Sequence, residues 1–216
     1  MNRPTRLVGV LGTATEVGKT WTTAALVTDL RRRGISVGAR KPVQSHDPDD
    51  GAPTDSEVLA AAADCAPGEV SPEHRTLPVP MAPPMAAAVL GLQAPTVAEL
   101  VAEIQWPDRL DVGLLETVGG VLSPVAVDGH SLDLVVQAGC DAALLVADAG
   151  LGTIDAVRTA LHVISGRDVD AYVLLNRFDP TDDLHVRNAA WLREVDGIDA
   201  VVDVASLTTR LLSHGD

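Results

Sequence analysis

Gly12-Thr13-Ala14-Thr15-Glu16-Val17-Gly18-Lys19-Thr20 is the stretch that decides the fold, and it directly follows an apolar, strand-like run at residues 7–11. A strand, a Gly- and Thr-rich turn and Gly-Lys-Thr at the start of a helix form a loop whose backbone N–H groups bind nucleotide phosphates. In such a loop Lys19 places a charge near the β- and γ-phosphates, and the Thr20 hydroxyl is placed to ligate Mg²⁺.

The loop departs by one residue from the strict pattern G-x-x-x-x-G-K-[ST]. Thr13 stands where the first glycine belongs, and Gly12 lies one position earlier. The alternative interpretation is a Gly-rich strand–helix turn in which Lys-Thr is accidental. Because both the motif and its context match, we predict a variant P-loop.

Length, charge and cysteine usage limit the classes of protein to consider. The chain has 216 residues, 46% of them apolar, and a formal net charge of −14. This length predicts one P-loop NTPase-like α/β domain over residues 1–216, and an acidic surface predicts no nucleic-acid and no membrane partner.

Cys65 and Cys140 form no disulfide framework or zinc site. With no signal peptide and no apolar run near the ~20 residues that span a bilayer, we expect a cytoplasmic protein.

Apolar strand-like runs alternate with helical patterns along the chain. Predicted strands cover residues 7–11, 35–41, 111–116, 142–148, 171–176 and 200–204. Predicted helices cover residues 19–33, 55–63, 86–92, 96–104, 132–139, 154–165 and 184–194, before a small terminal helix, and four prolines make residues 77–84 a loop or an irregular edge. This order predicts a mainly parallel sheet with helices on both faces, whose ligand lies beyond the carboxyl ends of the strands.

Three polar residues stand at predicted strand ends. Lys41 follows the second strand, where it is a candidate contact for substrate or γ-phosphate. Glu116 ends the third strand and resembles the carboxylate that helps to hold Mg²⁺ in P-loop enzymes. Asn176 closes the fifth strand, where its amide is placed to hydrogen-bond a nucleotide base.

Two further candidates remain open on the residues alone. Asp55 is a possible metal ligand, but Asp47, Asp49 and Asp50 compete with it. The Gly-rich turn at residues 149–153 either binds an anionic group at a helix N-terminus or is a plain tight connection. The tryptophans, among them Trp21, are expected to serve packing.

Taken together, these segments resemble dethiobiotin synthetase, an ATP- and Mg²⁺-dependent family of biotin synthesis. That family has G-T-x-T-x-V-G-K-T in its phosphate loop, matched by residues 12–20, and K-P-V-x-S after its second strand, matched by residues 41–45. Its P-x-[AS]-P element is matched by residues 80–83, E-G-A-G-G partly by 116–120, and G-L-G-T-[IL]-N partly by 150–155. The matches run in order over nearly the whole chain.

The resemblance implies a reaction, its cofactors and its partners. CO₂ joins a diamine substrate, 7,8-diaminopelargonate, to give a carbamate, ATP phosphorylates the carbamate, and the second amine closes a cyclic urea with release of ADP and phosphate. ATP and Mg²⁺ are therefore the implied cofactors. In this family the Gly-rich turn of a second subunit binds the carboxylate tail of the substrate, which implies a homodimer.

The resemblance also implies roles for matching positions, and it favours Asp55 as the acid before a helix. The implied nucleotide contacts are Gly12, Thr13, Glu16, Val17, Gly18, Lys19, Thr20 and Asn176. The implied Mg²⁺ ligands are Thr20, Asp55 and Glu116. The implied catalytic residues are Lys19, Lys41, Ser45 and Thr15. The implied substrate contacts are Thr15, Lys41, Ser45, Gly119, Leu151, Gly152 and Asp155.

The chain departs from the family pattern where substrate should bind. Thr117-Val118 replaces Gly-Ala and adds bulk where the diamine should lie, and His46 replaces a glycine. Asp155 stands in place of an asparagine that helps to bind the substrate carboxylate. Because two carboxylates repel each other unless one is protonated or paired, Asp155 predicts weak binding of diaminopelargonate or a different substrate.

Three alternatives to an active dethiobiotin synthetase follow from these departures. The first is a related ATP-dependent ligase that acts on a different amine or carboxylate. The second is a regulatory ATPase of the MinD/ParA type, but those proteins carry an additional lysine early in the loop, and residues 12–17 contain none. The third is a nucleotide-binding protein that catalyses no reaction.

Overall fold

The computed structural model describes residues 3–213, so the ends of the predicted domain, residues 1–2 and 214–216, lie outside the described residues. The strands in this part of the chain are β1 (Arg6–Gly12), β2 (Val37–Arg40), β3 (Gln44–Ser45), β4 (Thr76–Leu77), β5 (Val112–Glu116), β6 (Pro124–Ala126), β7 (Gly129–His130), β8 (Ala142–Asp148) and β9 (Asp170–Asn176). Five of them pair in parallel in one sheet, in the order β2-β5-β1-β8-β9. This order places β1 at the centre of the sheet.

Helices cover both faces of this sheet. They are α1 (Lys19–Arg32), α2 (Asp55–Ala63), α3 (Pro67–Val70), α4 (Pro83–Val89), α5 (Val97–Glu103), α6 (Ser131–Gln137), α7 (Thr153–Ser165), α8 (Asp183–Glu194) and α9 (Val204–Ser213). One hydrophobic core contains buried side chains of α1, α2, α3 and α9, and the other contains those of α4 to α8. No helix within residues 3–213 is long and apolar enough to cross a bilayer.

The period-2 alternation of β1 explains how one strand serves two cores. Leu7 and Leu11 belong to one core, and Val8 and Val10 belong to the other. Successive side chains of a strand point to opposite faces, so a central strand with apolar residues on both faces must be covered twice. The predicted fold class, a mainly parallel sheet with helices on both faces, is confirmed.

The structure corrects two sequence-based predictions. The strand predicted at residues 200–204 is wrong, because only Val201 pairs, through a single bridge with Leu174, before α9 begins at Val204. The predicted loop at residues 77–84 ends early, because Pro83 and the proline after it start α4. Proline is tolerated there, since the first N–H groups of a helix have no partner within the helix.

The strand order also positions the functional site. Strands β2, β5 and β1 are neighbours, with Arg40 opposite Leu115 and Val10 opposite Glu116. Because the carboxyl ends of parallel strands lie at one edge of the sheet, the chain segments that follow β2, β5 and β1 meet there. Lys41, Glu116 and the loop after β1 are thereby brought together.

Candidate functional site

The loop at residues 12–20 joins β1 to α1 and requires glycine at two points. A Cβ atom on Gly12 would lie 2.8 Å from the Ala14 carbonyl oxygen and 2.9 Å from the Gly119 carbonyl oxygen. Gly18 precedes α1 with φ 91°, in the left-handed region that favours glycine. The N–H of Thr13 donates to the Val146 carbonyl at 2.9 Å, which ties the loop to β8.

Residues that follow β9 hold the loop from its other side. The Asn176 side-chain amide donates to the Val17 carbonyl at 2.9 Å, and a Cβ on Gly18 would come within 2.1 Å of that amide nitrogen. The Arg177 guanidinium donates to the Glu16 carbonyl at 2.9 Å and pairs with Asp148. Glu16 itself has φ 62°, an uncommon conformation for a residue with a side chain, so these bonds help to fix the shape of the loop.

Lys19 starts α1 and is buried within the loop. Its ammonium donates to the Gly119 carbonyl at 2.8 Å and contacts the Ala14 carbonyl at 3.4 Å. Burial, followed by the nearby charge of Lys41, lowers the pKa of Lys19 to about 8, while Glu116 and Asp55 act in the opposite direction. This ammonium is therefore held by carbonyl groups and is available to a stronger anionic partner.

Glu116 is fully buried and is bound by two threonines of α1. Its Oε1 lies 2.7 Å from the Thr20 hydroxyl, and its Oε2 accepts a 2.6 Å hydrogen bond from the Thr23 hydroxyl. The Thr20 hydroxyl also lies 2.8 Å from Asp55 Oδ1. Asp55 starts α2, whose N-terminus is capped by Thr54 and Glu57 in a reciprocal capping box.

Lys41 bridges the two carboxylates. Its ammonium donates to Glu116 Oε1 at 2.8 Å and pairs closely with Asp55 Oδ2. Burial alone would lower the pKa of Lys41, but Glu116 and Asp55 outweigh it and raise that pKa above its usual value. Burial alone would raise the pKa of Asp55, but Lys41, Thr20 and Lys19 hold it below its usual value. Lys41 and Asp55 are therefore both charged at neutral pH.

The donor set around Thr20 fits Mg²⁺. A hydroxyl has one proton, so Thr20 can donate to only one of the two carboxylates that lie within 2.8 Å of its oxygen. Three hard oxygen donors thus converge, and Mg²⁺ is typically held by one or two carboxylates together with substrate phosphates. Thr20, Asp55 and Glu116 are the residues that would hold it.

A cavity of about 870 Å³ opens above this cluster. It is lined by loop residues, by both lysines of the chain, and by residues that follow β2 and β5. Of the predicted site residues, it contains Thr15, Glu16, Gly18, Lys19, Thr20, Lys41, Ser45, Asp55 and Gly119. The Ser45 hydroxyl and His46 Nδ1 are buried and have no hydrogen-bond partner among the described residues.

The structure decides how the departures from the family pattern affect this cavity. Val118 and His46 line it, as the sequence predicts. Thr117 does not: its side chain is buried, and its hydroxyl donates to the Val10 carbonyl at 2.9 Å. The expectation that Thr117 adds bulk where the diamine should lie is therefore wrong, because β5 turns this side chain towards β1.

A second cavity, of about 760 Å³, adjoins the loop between α1, β9 and the start of α9. Asn176, Gly18 and Trp21 line it, and Trp21 also lines the first cavity. Trp21 is 61% exposed, so the expectation that it serves packing is wrong. The phosphate loop thus lies between a polar cavity and a second cavity with a half-exposed aromatic wall.

The turn before α7 lies apart from both cavities of its own chain. Leu151 is 92% exposed, and Gly152 and Asp155 are also exposed. None of the three lines either cavity. Of the residues predicted to contact substrate, these are the ones that the structure does not bring together with Lys41 and Ser45.

Sequence reasoning missed two residues that shape the site. Thr23 lies one turn of α1 after the Gly-Lys-Thr segment, on the same face as Thr20, so helical spacing was the available signal. Arg177 directly follows Asn176 at the end of β9, so its place beside a strand end was the available signal. The choice of Asp55 over Asp47, Asp49 and Asp50, in contrast, matches the contacts of Asp55 with Thr20 and Lys41.

Comparison with solved structures shows the fold alone. A plasmid partition protein from Borrelia burgdorferi has a TM-score of 0.60 at 8% identity, covering 98% of this chain and 99% of that one. A chain of the MinC:MinD cell division protein complex from Aquifex aeolicus has a TM-score of 0.54 at 15% identity, covering 95% of this chain and 86% of that one.

Comparison of sequences is more specific. A family described as an AAA domain matches residues 6–207. The ATP-dependent dethiobiotin synthetase of Caulobacter vibrioides is 38% identical over 80% of this chain and 81% of its own length. Those of Anaeromyxobacter sp. (strain Fw109-5) and Rhodococcus jostii are 35% and 32% identical, over 91% and 94% of this chain and 88% of each relative. With these matches and the phosphate-loop geometry, the chain belongs to the dethiobiotin synthetase family of P-loop proteins.

Proposed function

We propose that this protein is an ATP- and Mg²⁺-dependent ligase that carboxylates 7,8-diaminopelargonate with CO₂ and closes the product to dethiobiotin. The observation that supports this most strongly is the meeting of Lys19, Lys41, Thr20 and Asp55 at one cavity, with Glu116 buried behind them in contact with Thr20 and Lys41. Membership of the family indicates the class of reaction. The buried lysines and carboxylates are the groups that would position and neutralise a transferring phosphoryl group.

The reaction needs phosphoryl transfer because a carbamate oxygen is a poor leaving group. One amine forms a C–N bond with CO₂ and loses a proton; MgATP, when bound, would supply the phosphoryl group to a carbamate oxygen, with ADP as the leaving group. Attack by the second amine then closes the ring, releases a proton and expels phosphate. The protein contributes positioning and charge neutralisation, which dominate catalysis of phosphoryl transfer.

Roles for the chain's own residues follow from their contacts. Lys19 exchanges its carbonyl partners for phosphate oxygens, assisted by the N-terminus of α1. Thr20, Asp55 and Glu116 hold Mg²⁺. Lys41 is the remaining cation and contacts the carbamate and the transferring phosphoryl group.

Ser45 lines this cavity, and in this proposal its hydroxyl hydrogen-bonds the substrate. Thr15 and the backbone at Gly119 form the facing wall of the same cavity. Gly12, Thr13, Glu16, Val17 and Gly18 shape the loop around the phosphates, and Asn176 contacts the base in the second cavity.

A homodimer completes the site in this proposal. Leu151, Gly152 and Asp155 of one subunit approach the substrate cavity of the other. Leu151 is the side chain that supports this arrangement, because an aliphatic group that is 92% exposed loses contact with water on association.

A related ligase for a different amine is the second candidate, and Asp155 is the observation that favours it. Asp155 lies in the first turn of α7 with its side chain exposed, where it would repel a substrate carboxylate. A neutral or cationic tail would suit this turn better. A partitioning ATPase is disfavoured, because the loop lacks the additional lysine and the matching solved structures share only the fold.

Phosphate release from MgATP with bicarbonate should depend on added 7,8-diaminopelargonate, with dethiobiotin appearing in step. Lys19→Ala should lower this rate at least about a hundredfold, because it removes a charge on the transferring phosphoryl group, while the melting temperature stays near that of the wild type. ATP binding without any diamine-dependent turnover would contradict the proposed substrate, and an unchanged rate in Lys19→Ala would contradict the role of the loop.

The affinity for MgATP should weaken as pH rises above about 8, where free Lys19 loses its proton. Bound phosphates favour the charged form and raise its pKa, so Kd should increase up to about tenfold per pH unit over the range between the two pKa values. Calorimetry between about pH 7 and pH 10 measures this. Lys19→Arg stays charged throughout and should lack the dependence; a wild-type Kd that is constant over this range would refute the assignment.

Thr23→Val should destabilise the protein by about 1.5–3 kcal/mol, because it leaves Glu116 Oε2 buried without a donor. It should also weaken Mg²⁺ binding, so that the Mg²⁺ concentration needed for the half-maximal rate rises. Thr22→Val is the matched control: Thr22 is equally buried, but its hydroxyl has no hydrogen-bond partner among the described residues, so stability should stay the same or rise. Equal losses in urea unfolding would show that the Thr23 hydroxyl does not hold Glu116.

Asp155→Asn should lower the KM for diaminopelargonate about two- to fivefold, because the first turn of α7 then presents a favourable dipole without a competing charge. Asp183→Asn removes the same charge from the first turn of α8 and should leave KM unchanged. No difference between the two variants would place the substrate carboxylate away from this turn.

A further inference from the structure

A third cavity, of about 480 Å³, lies at the β2 edge of the sheet, away from the phosphate loop. We refer to it as the edge cavity. Its walls come from the end of β2, from α3 and from the segment after α5, and they include Arg40, Pro42, Glu69, Glu103, Ile104 and Trp106. Nothing in the proposed reaction uses this cavity.

Arg40 is the unusual member of this wall, because it is a buried charge without an ionic partner. The residue is 6% exposed. Its Nε donates to the Gln105 carbonyl at 2.6 Å and its Nη1 donates to the Ala39 carbonyl at 2.8 Å. Nη2 has no hydrogen-bond partner among the described residues, and this nitrogen is not fully withdrawn from solvent. The guanidinium is therefore held by two carbonyl groups and has one nitrogen left to bind a ligand at the cavity wall.

The acids nearest to Arg40 are engaged elsewhere. Glu69 accepts a 2.9 Å hydrogen bond from the Ala66 N–H at the start of α3. Glu103 forms a bidentate pair with Arg75, at 2.6 and 2.8 Å. Burial lowers the pKa of Arg40, with Cys65 and Glu69 acting in the opposite direction, but a guanidinium remains protonated at any physiological pH.

The guanidinium is held in place rather than mobile. It lies over the Trp106 ring, 5.2 Å from its centroid. The ring in turn lies against the sheet at Gly113, where a Cβ would come within 3.0 Å of it. A glycine, an indole and a guanidinium are thus stacked, and the free edge of the guanidinium is oriented before any ligand arrives.

We propose that the edge cavity binds a small monocarboxylate with an apolar tail through Arg40. A carboxylate matches the planar fork of a guanidinium and would accept hydrogen bonds from Nη2. Pro42, Pro72 and Ile104 provide apolar surface for the tail. Glu69 and Glu103 at the same cavity disfavour ligands with two or more negative charges, such as phosphate.

The position of the edge cavity connects it to the proposed catalytic site. Lys41 is the next residue after Arg40, and its N–H donates to the Val70 carbonyl of α3 at 2.9 Å. Val70 also lines the edge cavity. An occupant therefore contacts the segment that holds Lys41 in place.

Isothermal titration of the full chain with octanoate tests the proposal. Octanoate should bind with one-to-one stoichiometry to the wild type, and at least about tenfold more weakly to Arg40→Met, because a charge-assisted hydrogen bond is lost. Arg187→Met removes an equal charge from the exposed face of α8 and should bind like the wild type. Octan-1-ol, which has the tail without the charge, should bind no better to the wild type than to Arg40→Met.

Gly68→Leu keeps the test decisive if Arg40→Met fails to fold. Gly68 lines the edge cavity, and a Cβ there would meet no atom within 4 Å, so this substitution adds bulk while leaving Arg40 intact. It should weaken octanoate binding. Absence of saturable binding to the wild type, or equal affinity in Arg40→Met or Gly68→Leu, would overturn the site. Arg40-dependent binding of inorganic phosphate without octanoate binding would overturn the ligand class.

Discussion

The buried ion pair between Lys41 and Glu116 is the interaction on which the rest of the site depends. Both side chains are withdrawn from water, so neither charge is tolerable without the other. The pair joins the ends of β2 and β5, and through Thr20 and Thr23 it fastens α1 to the same point. The phosphate loop, which lies between β1 and α1, therefore has its shape fixed by charges that the proposed reaction also uses.

This concentration of charge contrasts with the rest of the molecule. The chain carries a net charge of −14 and only two lysines, both of which lie in the candidate site. A polyphosphate would be repelled by such a surface on average, so binding rests on local cations and backbone N–H groups. The low pKa of Lys19 follows first from the burial of its ammonium and then from the second cation, Lys41, that is buried close by. An anionic ligand relieves this repulsion.

The nucleotide side and the substrate side of the cavity differ in how closely they follow the family. On the nucleotide side, Lys19 of the loop contacts the Gly119 carbonyl, and Lys41 pairs with both Asp55 and Glu116. Variation is concentrated where the diamine would lie, at Val118 and His46, and at Asp155 on the turn before α7. Phosphate chemistry demands the same cations and ligands whatever the amine, whereas a change of substrate needs only new contacts around its tail.

The sequence by itself determined the order of the five strands of the main sheet and of the longer helices, the phosphate loop and the candidates at the strand ends, because local periodicity and short motifs encode these features. Only the tertiary structure showed that Thr23 binds Glu116, 93 residues away, that Thr117 turns towards β1, and that Arg40 is buried without an acid. Such contacts depend on which strands are neighbours and in what register. A one-residue shift would turn each side chain to the opposite face, and strands that are apolar on both faces carry little local pattern to fix that choice.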